Sequence, residues 1–333
     1  MEQITIGSTG VLCSQLAFGC AGAFHLPRAS DRSALLDAAV DAGFTHLDVA
    51  PMYGMGRAEV ELAPLLRRHG DRLSLTTKFG IRTSPVGSVA GRIQGPVRRL
   101  LAARPQVNDG LQRSGAGPTA AGAGRLLYRG DAYLPEQARA SLGRSLSRLG
   151  RGTIDLFILH DPSAEQVQAA ARAGTFAMLD DEIAAGRIRN WGIALHEPGD
   201  LGQWAGDTVP FLQFRDDVLH PADRAIPACV GTATYGVLAA ALPLLLHHLS
   251  TSPAIRMRWI DELGIEDTGP RSLASVLLRE AVRRNPFGPV LFTTTKPHRL
   301  AEAADAVTHS APAGESDRLM AMVAEARAAQ SHS

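Results

Sequence analysis

Short apolar runs alternate with helical patterns along nearly the whole chain, and that alternation restricts the possible fold more than any other feature. The runs QLAFG (15–19), THLDVA (45–50), RLSLTTK (72–78), IDLFILH (154–160), IRNWGIA (188–194), VPFLQF (209–214) and PVLFTTT (289–295) read as buried strands. A further run, ACVGTATYG (228–236), is weaker because it is rich in small residues. Strands that are apolar throughout, rather than on alternate residues, belong to a parallel sheet covered on both faces. Helical stretches lie between most of them. In SALLDAAVDAG (33–43), Leu35, Leu36, Ala39 and Val40 share one face and Gly43 is a stop signal. In LPEQARASLGRSLSRLG (134–150), Pro135 opens the helix and Gly150 closes it. Eight strand–helix units predict an α/β fold, a closed (β/α)8 TIM barrel, with an open doubly wound sheet as the alternative.

The chain has 333 residues and is 45% hydrophobic. That is enough for a large core, and single barrels reach this length, so residues 1–333 are read as one barrel domain. Residues 82–133 break the rhythm, with Gly-, Pro- and Arg-rich sequence such as RPQVNDGLQRSGAGPTAAGAGR (104–125). An insertion this long after the third strand reads either as a lid over the barrel mouth or as a solvated loop. The formal net charge of +1 provides no field for nucleic acid or an anionic membrane. Cys13, Cys20 and Cys229 form neither a CxxC nor a zinc spacing, which points to a reducing compartment. The start MEQITIGSTG lacks the pattern of a secretory signal. The apolar run VLAAALPLLL (237–246), broken by Pro243, is shorter than the roughly 20 residues of a membrane span. These features predict a cytoplasmic protein without nucleic-acid or membrane partners. His25, His46, His69, His247 and His248 show no ligand spacing, so no metal is expected, and they are read as surface or capping residues.

In a barrel of this kind the reacting groups sit at the C-terminal ends of the strands. Those ends carry Asp48 and Tyr53 after the second strand, Lys78 at the third and His160 at the fourth. Their chemistry is complementary. A free phenol, with a pKa near 10, is a poor acid at neutral pH. An ammonium about 4 Å away favours the phenolate by up to about 4 kcal/mol at an effective dielectric near 20. Asp48 would keep that ammonium charged, and a neutral His160 would orient a carbonyl. Each residue alone has a plainer reading: a loop-fixing acid, a packing tyrosine, a histidine tying down its loop. A lysine in a buried strand is the least ordinary of them.

The segments HLDVAPMYGMGRAEVELAPLLR (46–67), TTKFG (76–80) and IDLFILHDP (154–162) resemble the aldo-keto reductases. IGSTGVLCSQLAFGCA (6–21) is similar to that family's amino-terminal β-hairpin leading into the first barrel strand. The resemblance weakens in the insertion and around 216–270. It implies Asp48, Tyr53, Lys78 and His160 as the catalytic tetrad, with Tyr53 as general acid. It also implies a nicotinamide cofactor, NADPH with NADH as the alternative. TTTKPHRLAEAADAV (293–307) resembles the family's adenosine-phosphate segment, implying contacts from Thr294, Lys296, Arg299 and Glu302. A helix start suits phosphate, and Arg can grip it with two donors. Gly19 and Cys20 at the first strand end, Asp48, and Gln213 and Tyr235 complete the implied cofactor contacts. Gln213 is read as ending the sixth strand, and Tyr235 as either a stacking residue or a core tyrosine. Two family features are missing. Ala194 and Leu195 stand where many relatives have Ser-Asn, and Thr293 stands at a position that is often basic.

The resulting expectation is an NAD(P)H-dependent oxidoreductase acting on a small carbonyl or alcohol, with a sugar or a specialised metabolite as the candidate substrate class. The substrate would be recognised by the insertion, the region near Phe24 and residues 236–270. The alternatives are a cofactor-binding regulatory protein with little turnover, and a lyase or hydrolase using Lys78 as a Schiff-base amine.

Overall fold

The structure, a computed structural model, describes residues 1–83, 128–130, 133–195, 209–222, 226–309 and 311–330. Two short strands, β1 (Gln3–Thr5) and β2 (Leu12–Ser14), form an antiparallel hairpin. Eight parallel strands then close into a barrel: β3 (Leu16–Gly19), β4 (His46–Asp48), β5 (Ser74–Phe79), β8 (Ile154–His160), β9 (Ile188–Leu195), β10 (Phe211–Arg215), β11 (Gly231–Tyr235) and β12 (Val290–Phe292). Each pairs with its successor, and β12 returns to β3 through Val290–Leu16, Leu291–Ala17 and Phe292–Phe18. The fold is thus the (β/α)8 barrel expected from the alternation, and the small-residue run supplies its seventh strand. The open doubly wound sheet is excluded by closure.

The barrel has two apolar layers. Phe18, Leu47, Leu75, Phe157, Leu159, Leu212 and Phe214 pack outward against the helices. Leu156, Ile158, Phe211 and Ala233 point inward and pack on Ile6, Val11 and Cys13 of the hairpin. The hairpin therefore plugs one end of the barrel and leaves the C-terminal strand ends open. The period-two alternation of a strand then matters for chemistry. Lys78 lies two residues beyond Thr76, His160 two beyond Ile158, and Gln213 two beyond Phe211, so all three share the inward face with Asp48.

The helices end as their sequences predict. Helix Pro135–Leu149 has Pro at its start, and Gly150 closes it at φ 65°. Helix Ala29–Asp41 begins earlier than expected and stops before Gly43, which has φ 91°. No helix among the described residues is long and apolar enough to cross a membrane.

Three expectations need correction. Residues 82–133 are not one free connection, because β6 (Ile81–Thr83) pairs antiparallel with β7 (Tyr128–Gly130) at the base of the insertion. The remainder, 84–127 and 131–132, lies outside the described residues, and with it the lid reading. His46 is not a surface or capping residue. It is buried inside the barrel, with Nδ1 on the Ser74 hydroxyl and Nε2 on that of Thr76, both at 2.8 Å. Gln213 lies in the middle of β10, not at its end.

Candidate active site

Lys78 is the centre of the site. Its ammonium is almost fully buried. It donates to Asp48 Oδ1 at 2.5 Å, to the Val49 carbonyl at 3.3 Å and to the Tyr53 hydroxyl at 3.3 Å. An ammonium has three protons, and here each has an acceptor. Burial alone would push Lys78 down. The carboxylate of Asp48 and the phenol of Tyr53 more than offset that, and Lys78 sits above its ordinary value. The second Asp48 oxygen, Oδ2, accepts from the Gln213 amide at 2.7 Å. The carboxylate is thus fixed from two sides by groups from different strands.

Tyr53 is held by an unusual turn. Gly54, Met55 and Gly56 follow it with φ of 58°, 54° and 88°. A run of left-handed residues is costly without glycine, which explains the GMG sequence. The Phe24 ring lies where a Gly54 Cβ would stand, 2.2 Å from its Cδ1. A side chain there would collide with the ring that backs the turn. The Lys78 ammonium sits 5.0 Å from the Tyr53 ring centre, and the His160 ring meets Tyr53 edge-on at 6.0 Å.

The electrostatics differ from the expectation in one respect. A neighbouring ammonium was expected to lower the Tyr53 phenol. Burial raises it, and Lys78 opposes that rise without cancelling it. The phenol therefore holds its proton at neutral pH. His160 behaves as expected: burial, helped by the Lys78 charge, depresses it to about 3, so the ring is neutral. Its Nδ1 is buried without a hydrogen-bond partner among the described residues.

These side chains line a cavity of about 420 Å³ bounded by Gly19, Ala21, Asp48, Tyr53, Lys78, His160, Ala194, Leu195, Gln213 and Tyr235. A second cavity of about 570 Å³ adjoins it, sharing Gly236, Leu291 and Thr293. This one is walled by Arg271, Ser275, Thr294, His298, Arg299 and Glu302. Pro297 directly precedes the helix His298–Thr308, and the Lys296 N–H donates to Thr294 Oγ1 at 3.1 Å. Lys296 is exposed and does not line the cavity, and Glu302 lies 3.7 Å from Arg271. Cys20 turns its buried thiol into the core, leaving Gly19 and Ala21 at the cavity wall. The Tyr235 hydroxyl donates to the Leu195 carbonyl at 2.9 Å, which spans the strand ends where Ser-Asn is missing.

One residue escaped sequence reasoning. Tyr133, where the chain returns from the insertion, is buried at φ 54° and donates its hydroxyl to the His160 carbonyl at 2.6 Å. Thr175 Oγ1 donates to the Tyr133 carbonyl at 2.7 Å, and the Tyr133 ring packs on Phe79. A Cβ at Gly80 would stand 1.9 Å from that ring. Glycine at 80, straight after a strand, was the available signal.

Comparison with known proteins agrees with the fold. The sequence model of the Aldo/keto reductase family matches residues 15–213. The chain belongs to that family, whose members are nicotinamide-dependent oxidoreductases. It is 31% identical over 207 residues to a pyridoxal 4-dehydrogenase of Microbacterium luteolum, covering 59% of this chain and 56% of that protein. It is 28% identical over 248 residues to a D-threo-aldose 1-dehydrogenase of a Pseudomonas species, covering 71% and 67%. The match thus spans little more than half of the first relative's own length. A solved aldo-keto reductase from Bacillus halodurans, in its holo form, superposes with a TM-score of 0.67 at 17% identity, covering 97% of this chain and 96% of that one.

Proposed function

We propose that this protein is an oxidoreductase that interconverts a small carbonyl compound and its alcohol with a nicotinamide cofactor. The observation that carries this is the buried Lys78 ammonium, shared between the Asp48 carboxylate and the Tyr53 hydroxyl at the wall of a cavity that also holds a neutral His160. The residues present fit such a cofactor. Two adjoining cavities offer room for its two halves, and the outer one opens at the start of a helix beside Arg299.

When bound, the reduced nicotinamide supplies a hydride to the carbonyl carbon. The chain's residues manage the oxygen. Tyr53, protonated at neutral pH, gives its proton to the developing alkoxide, a stronger base than phenolate. The Lys78 ammonium then stabilises the phenolate that remains, in a site where burial strengthens that attraction. Asp48 keeps Lys78 charged, and Gln213 keeps Asp48 in place. The His160 ring, being neutral, can donate a hydrogen bond to the substrate oxygen without competing for its proton. In the oxidation direction Tyr53 takes the alcohol proton back.

The substrate class we favour is a polar hydroxylated aldehyde or the corresponding alcohol, in keeping with relatives named for pyridoxal and an aldose. We favour NADPH because Arg299 at a helix start suits a 2′-phosphate. The free thiols Cys13, Cys20 and Cys229 accord with a cytoplasmic location, and we treat residues 1–333 as one barrel domain.

The test is Tyr53→Phe. General acid–base groups are typically worth about 10²–10⁴ in rate, so kcat should fall by that factor while cofactor Kd stays within a few-fold. Wild-type turnover in the variant, read at the nicotinamide absorbance, would remove Tyr53 from the reaction. A second reading, a cofactor-binding regulator, is favoured by Ala194 and Leu195 in place of Ser-Asn; steady turnover of a carbonyl panel in an assay would exclude it. A Schiff-base role fits poorly, because Lys78 is held as the charged ammonium and not as the amine.

A further inference from the structure

Besides the His298 ring, three ionisable side chains wall the outer cavity among the described residues: Arg271, Arg299 and Glu302. They come from two helices that pack against each other. Arg271 stands in the first turn of the helix Pro270–Arg284, and Arg299 and Glu302 near the start of the helix His298–Thr308. Residues three apart on a helix are surface neighbours, so a phosphate held by Arg299 also lies near the Glu302 carboxylate. A phosphomonoester carries about −1.5 to −2 charges at pH 7. Arg299 alone therefore leaves both the phosphate and the carboxylate short of positive charge. Arg271 is the other guanidinium in the wall, and it already sits beside Glu302.

The protein does not use up either guanidinium. Arg271 approaches Glu302 through Nε at 3.7 Å, which is longer than a hydrogen bond. The side chains of this pair are 70% and 32% exposed, so the pair is loose and adds little stability. The terminal nitrogens of Arg271 make no hydrogen bond among the described residues, and the Arg299 guanidinium makes neither a hydrogen bond nor an ion pair there. The backbone that carries Arg271 is nevertheless fixed. Asp267 Oδ1 accepts from the Gly269 N–H at 2.7 Å and from the Ser272 hydroxyl at 2.8 Å, and the Ser275 hydroxyl donates to the Arg271 carbonyl at 3.0 Å. Asp267 is not part of the cavity wall. The helix start is thus anchored, and only the long side chain has to move.

Resting on the oxidoreductase reading, we propose that Arg271 is a specificity-determining residue whose terminal fork binds the cofactor's 2′-phosphate together with Arg299. A guanidinium fork matches phosphate oxygens with paired hydrogen bonds, and Arg271 at the same time screens the phosphate from Glu302. NADH has no 2′-phosphate, so with NADH bound Arg271 keeps only its loose contact with Glu302. Arg271 therefore favours NADPH without taking part in hydride transfer.

The test is titration calorimetry of the full-length protein at fixed ionic strength with 2′,5′-ADP and, separately, 5′-AMP, alongside fluorescence titration with NADPH and NADH. In Arg271→Ala, affinity for 2′,5′-ADP and NADPH should fall about tenfold, the size of one hydrogen bond to a charged group. Affinity for 5′-AMP and NADH should stay at the wild-type level, which also shows that the variant's cavity is intact. Added salt should weaken 2′,5′-ADP binding more steeply in the wild type than in the variant. Equal loss for the two fragments would make Arg271 a stacking partner of the adenine and overturn the proposal. So would undiminished NADPH affinity in the variant, or wild-type protein that binds 2′,5′-ADP no more tightly than 5′-AMP. These outcomes leave the oxidoreductase reading standing, which fails instead if the wild type binds neither NADPH nor NADH.

Discussion

Histidine 46 shows how burial sets the behaviour of one side chain. Inside the barrel its ring is depressed from 6.5 to about 4, chiefly because burial disfavours the charged form. The unfolded chain therefore binds a proton between those values and the folded chain does not. Stability contributed by the neutral ring is full above pH 6.5 and is lost as pH falls toward about 4, by up to about 3 kcal/mol. Urea unfolding from pH 7 to 4 should show this slope, and His46→Gln should flatten it; an unchanged slope would assign the acid sensitivity elsewhere. Tyr133 tests a different kind of dependence. Tyr133→Phe removes the donor to the His160 carbonyl, and the expected loss of stability is about 1–2 kcal/mol. If that bond also positions the His160 ring, kcat falls several-fold at unchanged cofactor Kd. A stability loss with intact kcat would confine Tyr133 to anchoring the insertion. Asp48, Tyr53, Lys78 and His160 could be proposed from sequence because each sits at or just after a strand end, where side-chain direction follows from period two. His46 and Tyr133 could not, since only the closed barrel puts one in an interior layer and the other behind His160.

The strands and helices were readable where local chemistry determines them. Pro135 and Gly150 bracket their helix because one lacks an N–H that the first turn leaves unused and the other accepts a left-handed conformation. The ribbon formed by β6 and β7 was not readable, because its halves are separated by more than forty residues of insertion and pair only at the barrel rim. Close approach of neighbouring strands leaves another mark. A Cβ on Gly192 in β9 would stand 2.2 Å from the Phe211 carbonyl oxygen in β10. Gly192→Ala must push the two strands apart, and overpacking of this kind costs about 1–3 kcal/mol. A drop in the thermal midpoint is expected, and a midpoint equal to wild type would mean that the strands yield without cost.

Across the whole molecule, the hairpin closes the bottom of the barrel while the two joined cavities open at the top. Arg299 lies in the outer cavity and Tyr53 in the inner one, so binding and chemistry can be perturbed separately. Arg299→Ala should weaken NADPH about tenfold or more, leave NADH nearly unchanged and preserve kcat at saturating cofactor. Equal losses for the two cofactors, by fluorescence titration, would remove the case for a 2′-phosphate contact. The order of apolar runs and helix signals pointed to a parallel sheet of strand–helix units and to the strand ends where Asp48, Lys78 and His160 stand, since both follow from local periodicity, whereas closure into a barrel was decided by the tertiary structure. The sign of the Tyr53 shift, the sharing of Asp48 between Lys78 and Gln213, and the burial of His46 inside the barrel emerged only on folding. Each depends on how much water is excluded and on which distant residues meet, and neither quantity is encoded in any single stretch of chain.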